Sequence, residues 1–133
     1  MSRVFVDTSA VHALMVASDL NHAPAAIAFE KLARRGAPLT TTSYVLMESF
    51  ALLGRRVGRE AVEAFRADIQ PLLDVVWVDE GLHERGLDLL LEKRVEDLSL
   101  VDAVSFVTMR DHEIDEAFAY DRHFEQEGFG QID

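Results

Sequence analysis

Short apolar runs alternate with longer amphipathic stretches along this chain, and the alternation predicts an α/β domain. Val4-Phe5-Val6 reads as the heart of a brief buried strand, Arg3–Val6, followed at once by Asp7. Thr8 to about Ala17 has helical character, with Thr8 or Ser9 available as N-cap. The next helix, His22–Arg35, gathers Ala25, Ala26, Phe29, Leu32 and Ala33 on one face and closes at Gly36. Leu39-Thr40-Thr41-Thr42, after Pro38, gives a second strand, and Ser43 caps the helix that carries Glu48. Gly54 and Gly58 mark that helix's end and a tight turn, and Glu60–Ile69 is a helix stopped before Pro71. Asp74–Val78 reads as a third buried strand with Trp77 in the core. Asp79–Lys93 is a helix whose acids Asp79, Glu80 and Glu84 lie near its positive N-terminus and serve as surface residues. A further helix starts at Ser99 or Asp97 and runs to about Arg110, and Ile114–Tyr120 contains a fourth strand. Neither repeat nor linker interrupts the pattern, so residues 1–133 read as one domain around a mostly parallel sheet.

Against this pattern four acids stand out. Asp7 ends an apolar run, Glu48 and Asp102 each interrupt one, and Asp121 follows Ala117-Phe118-Ala119-Tyr120. A lone buried carboxylate is costly, so it is paired, protonated or bound to a cation. Each acid has an ordinary explanation. Asp7 and Asp121 could cap helices, the second a short one over Arg122–Glu127. Glu48 could pair with Arg55, Arg56 or Arg3, and Asp102 could face solvent beside Ser99 and Ser105. One shared cation accounts for all four together. Asp7 and Asp121 follow strands, and Glu48 and Asp102 lie near the starts of helices, so all four belong to the carboxyl edge of a parallel sheet. Ligand sites form at that edge. Oxygen-only donors suit a hard divalent ion such as Mg²⁺ or Mn²⁺. That ion would lower the pKa of an attacking water and neutralise charge during phosphodiester hydrolysis.

Composition narrows the chemistry. The absence of cysteine excludes disulfides, zinc–thiolate sites and thiol catalysis. Neither a signal-peptide pattern nor a stretch near membrane-span length is visible, which suggests a soluble, cytoplasmic protein. The net charge of −11 opposes nucleic-acid binding and suits a basic partner. Arginine, however, outnumbers lysine 11 to 2, and Arg55 and Arg56 form a cluster with Arg59 that could meet phosphate. The plain alternative for such clusters is solvated helix ends. The five histidines are scattered, and His123 is expected to face solvent or cap a turn. Asp97 is expected to cap a helix rather than join the four acids.

Val-Asp-Thr-Ser-Ala at 6–10, Thr-Thr-Ser-Tyr-Val-Leu-Met-Glu-Ser at 41–49, Leu-Ser-Leu-Val-Asp-Ala-Val-Ser-Phe at 98–106 and Ala-Tyr-Asp-Arg-His-Phe at 119–124 resemble PIN-domain ribonucleases. The nearest likeness is to the VapC toxins of toxin–antitoxin pairs. The resemblance spans essentially the whole chain. It implies a three-layer α/β/α sandwich, Mg²⁺- or Mn²⁺-dependent endonucleolytic cleavage of RNA, a small antitoxin protein with a basic segment, and a homodimer. It places the catalytic and metal-binding quartet on Asp7, Glu48, Asp102 and Asp121, with Asp7 and Asp102 as the firmest ligands and Ser9 in support. Two other enzyme classes fit poorly. A dehalogenase-type phosphatase needs an acid where Ser9 stands, and a receiver domain needs a late-strand lysine, whereas Lys31 and Lys93 fall in helices. A non-catalytic acidic module that docks a basic segment is the rival of a different class.

Overall fold

The computed structural model describes residues 2–132. Five strands, β1 (Val4–Val6), β2 (Leu39–Thr42), β3 (Leu73–Val76), β4 (Glu116–Phe118) and β5 (Gly130–Gln131), form one sheet in the order β3-β2-β1-β4-β5. Every strand pairing in it is parallel. The helices are α1 (Thr8–Met15), α2 (His22–Arg35), α3 (Ser43–Arg56), α4 (Arg59–Ala64), α5 (Glu80–Lys93), α6 (Leu100–Asp111) and α7 (His123–Gln126). The expected α/β class and parallel sheet are therefore present, with β5 as a strand the apolar pattern did not announce.

Side-chain alternation along the strands divides the core. Val4, Val6 and Phe118 point into a cluster built with α1, α2, α3 and α4. Phe5, Ala117 and Ala119 point the other way, onto Phe106 and Met109 of α6 and Phe124 of α7. Helices thus cover both faces, as a parallel sheet requires, and the three layers follow.

Caps explain where the helices begin. Asp7 caps α1 by accepting from the Ser9 amide. Thr42, not the expected Ser43, caps α3, leaving Ser43 Oγ to accept from the Val78 amide at 2.9 Å. Asp79 caps α5. Ser99 caps α6 in a reciprocal box with Asp102, so Asp97, exposed and at φ 65°, caps nothing. Gly36 closes α2 at φ 65°, a backbone region that costs glycine little.

Two further expectations fail. The helix after Gly58 reaches Ile69 but not as one α-helix stopped before Pro71: α4 widens into a π turn at Phe65–Ile69 and tightens into a 3-10 turn, Gln70–Leu72, that includes Pro71. Proline lacks the N–H, but the first turn of a helix does not need it. The third strand is also not buried as a whole. Only Leu73 of β3 is buried, and Trp77, just beyond the strand, is 71% exposed. Because β3 is the sheet's edge, the apolar run Val75-Val76-Trp77-Val78 has solvent beside it. Among the described residues no helix is long and apolar enough to cross a membrane.

Candidate active site

The strand order reverses between β1 and β4, and the carboxyl ends at such a switch point are where a parallel sheet forms its ligand crevice. The register aligns Val6 with Phe118, so the chain leaving β1 and the chain leaving β4 run side by side. The Asp7 amide still donates to Phe118 O at 3.1 Å. Ser9 then clamps the two segments: its Oγ donates to Asp7 Oδ2 at 2.6 Å and accepts from the Tyr120 amide at 2.8 Å. Asp121 follows directly on the clamped residue.

Asp102 reaches the same crevice from α6. Its Oδ2 accepts from the Ser99 amide at 3.3 Å, and its own amide donates to Ser99 Oγ at 3.1 Å. That capping box fixes the side chain over the first turn. Asp121 Oδ1 accepts the His123 amide at 2.9 Å, a local turn that folds the imidazole back beside the carboxylate. His123 Nδ1 consequently stands 2.8 Å from Asp121 Oδ1 and 3.8 Å from Asp102 Oδ2. One donor atom from each of Asp102, Asp121 and His123 lies within 4.8 Å of the others.

Burial sets the electrostatics. Asp7 is 3% exposed and Asp102 7% exposed. Burial pushes the Asp7 carboxyl up to about 6; the Ser9 hydrogen bonds oppose this and the Asp121 charge adds to it. Asp102 is pushed up to about 7, chiefly by burial and then by the charges of Asp7 and Asp121. Among the described residues no lysine or arginine pairs with Asp7, Glu48, Asp102 or Asp121. Arg3, a possible partner for Glu48, binds Asp74 instead at 3.1 Å.

A PIN-domain family model matches residues 4–129. The chain belongs to the PIN-domain family. The 23S rRNA-specific endonuclease VapC20 of Mycobacterium tuberculosis is 36% identical to it over 131 residues, 97% of each chain, in strains CDC 1551 / Oshkosh and ATCC 25618 / H37Rv alike. The crystal structure of M. tuberculosis VapC20, described as a sarcin–ricin loop cleaving toxin, superposes with a TM-score of 0.82 at 34% identity over 95% of both chains. PAE2754 from Pyrobaculum aerophilum shares the fold, with a TM-score of 0.67 at 20% identity over 99% of this chain and 89% of that one.

Of the four sequence-selected acids in this PIN domain, Asp102 and Asp121 lie together beside His123, and Asp7, tied to the β4 exit through Ser9, is near enough for charge to act between it and both. Glu48 is half-buried on α3 and lines an adjoining cavity of about 390 Å³ with Thr8, Met47, Ala51, Leu52 and Arg55. Thr8 links that cavity to the acids, being next to Asp7, and its Oγ1 is buried without a hydrogen-bond partner. The two arginines singled out in the sequence diverge. Arg55 faces the Glu48 cavity, whereas Arg56 lines a separate one and approaches His12 Nε2 at 3.4 Å. Both sit in the last turn of α3, where helix-end arginines are commonplace.

The residue misjudged from sequence is His123. It is 8% exposed, not solvent-facing, and its Nδ1 looks into the acid cluster. The available signal was the Asp-x-His spacing after an apolar strand, because an aspartate that accepts from the amide two residues on carries that residue's side chain back with it.

Proposed function

We propose that this PIN domain is a divalent-metal-dependent endoribonuclease of the VapC toxin type, cutting RNA phosphodiester bonds at the crevice between β1 and β4. The observation that carries the reading is the presence there of desolvated carboxylates with which, among the described residues, no lysine or arginine pairs. Such a donor set fits a hard divalent cation, since burying these charges without one is unfavourable. Asp7, Asp102 and Asp121 would hold the ion, and Glu48 would act from the wall of the adjoining cavity. When bound, Mg²⁺ or Mn²⁺ supplies charge neutralisation at the scissile phosphate and acidifies an attacking water.

The chain's own residues supply position. Ser9 holds Asp7 in one rotamer and ties it to the β4 exit. The Ser99 box holds Asp102. Arg55, in no ion pair among the described residues, is placed to take an RNA phosphate beside Glu48, and Arg56 would extend that contact along α3. The net charge of −11 makes a partner with a basic segment a natural cover for the crevice. A homodimer and a cytoplasmic setting accompany this reading.

The 23S rRNA cut by the VapC20 relatives is the first substrate to try. Purified protein with Mn²⁺ is expected to cut it at discrete positions, mapped by sequencing the new ends. Asp7→Asn and Asp102→Asn should each abolish cleavage while leaving the fold intact by circular dichroism. If wild-type protein leaves ribosomal, transfer and messenger RNA whole, and binds a basic peptide that Asp7→Asn binds more weakly, the protein is a binding module instead.

A further inference from the structure

The donor set at the crevice is not made of oxygen alone. His123 Nδ1 is buried, has no hydrogen-bond partner, and is aimed at two carboxylates. Its 2.8 Å approach to Asp121 Oδ1 is short enough for a hydrogen bond but lies off the line that the ring N–H would need. A buried polar nitrogen left in this state calls for an explanation. The spacing offers one. Two neighbouring ligands of an octahedral ion with bonds of ~2.1 Å stand about 3 Å apart. The separations of 2.8 Å and 3.8 Å from Nδ1 to Asp121 Oδ1 and Asp102 Oδ2 bracket that value, with no backbone movement required. The backbone also fixes the ring where it is, because the His123 amide is itself bonded to Asp121.

We propose that His123 Nδ1 is a direct ligand of the bound cation, making this a mixed oxygen–nitrogen centre that selects Mn²⁺ over Mg²⁺. Imidazole nitrogen suits first-row transition ions, whereas magnesium favours carboxylate, carbonyl and water oxygen. A site built only from Asp7, Asp102 and Asp121 would leave that choice to the ions available; His123 adds the nitrogen that discriminates. The proposal rests on the metal centre described above, and it concerns who binds the ion rather than what is cleaved.

The test reads the ion, not the RNA. Mn²⁺ is titrated into the intact protein by calorimetry and electron paramagnetic resonance, and pulsed spectra are examined for modulation by a directly bound ¹⁴N nucleus. Wild type is expected to show that modulation, and Asp102→Asn to lose the bound signal, which places the ion in the crevice. His123→Gln should bind Mn²⁺ without the nitrogen modulation and with affinity lower by roughly tenfold, the low end of the cost of losing a supporting contact to a metal site. Its Mg²⁺ affinity should stay near the wild-type value, so the Mn²⁺-to-Mg²⁺ ratio falls. Mn²⁺ bound in the crevice of wild type without ¹⁴N modulation overturns the proposal whether or not the variant folds, as does an unchanged ratio in His123→Gln. Failure of the underlying metal centre looks different: wild type then binds neither ion.

Discussion

Ser9 is a small side chain with two partners that matter. Its hydroxyl gives its proton to Asp7 and takes one from the Tyr120 amide, so one oxygen sets the rotamer of an acid on one strand exit and the path of the other. Groups that orient metal ligands typically carry 10–100-fold in affinity or activity. Ser9→Ala should therefore weaken Mn²⁺ binding by about that factor, measured by calorimetry, whereas Ser9→Thr keeps the hydroxyl and should retain most of it. Much of this was legible beforehand. Asp7 and Asp102 betrayed themselves by their apolar neighbours, and an acid in such company has few destinations. His123 did not, because its placement depends on a turn hydrogen bond from its own amide, which hydropathy does not register. Glu48 was visible as an acid inside an apolar helix, but its place in the neighbouring cavity depends on how α3 packs.

At the level of elements, α5 and α6 pack so closely that a Cβ added at Gly86 would come within 2.4 Å of Val104 Cγ2 and 3.2 Å of the Val104 Cα. The second contact is with backbone, so the helices must separate to admit it. Gly86→Ala should lower stability by about 1–3 kcal/mol despite alanine's better helix propensity, read as a drop in thermal midpoint. Because α6 carries Asp102 in its first turn, the variant should also weaken metal binding. Helix and strand identities were largely written in the chain, since the switch between runs of three or four apolar residues and helical periodicity is strong. Exposure was not. The run around Trp77 has the composition of a buried strand, but whether a strand lies at a sheet's centre or edge is decided by topology, and β3 is an edge. The two-residue β5 is too short to show a period at all.

For the whole molecule, charge sets a pH dependence. Asp7 and Asp102 bind protons more tightly in the folded state than the ordinary 3.8 of a free aspartate, near 6 and 7 respectively. Between pH 4 and 7 the folded protein holds protons that the unfolded chain has released, so stability without metal falls as pH rises through this window. A tenfold change in proton affinity corresponds to about 1.4 kcal/mol, so the decline is large enough to read in a thermal melt. Thermal melts should show a declining midpoint from pH 4 to 7.5, a shallower decline in Asp102→Asn, and a higher midpoint for that variant at neutral pH. Mn²⁺ should restore the wild-type midpoint by mass action, more at pH 7.5 than at pH 5, and should do little for Asp102→Asn. A flat profile in the absence of metal would show that these carboxylates are not desolvated together.

The Ser9–Tyr120 bond joins positions 111 residues apart, and β4 must settle against β1 before it can form. Contacts of such long range come late in folding, after the loop between them has closed. During synthesis the chain therefore holds Asp7 for most of its length with no Asp121 to set beside it. The crevice comes into being only once translation has supplied the β4 exit, so a nascent chain that still lacks Tyr120 and Asp121 has Asp7 but not the site.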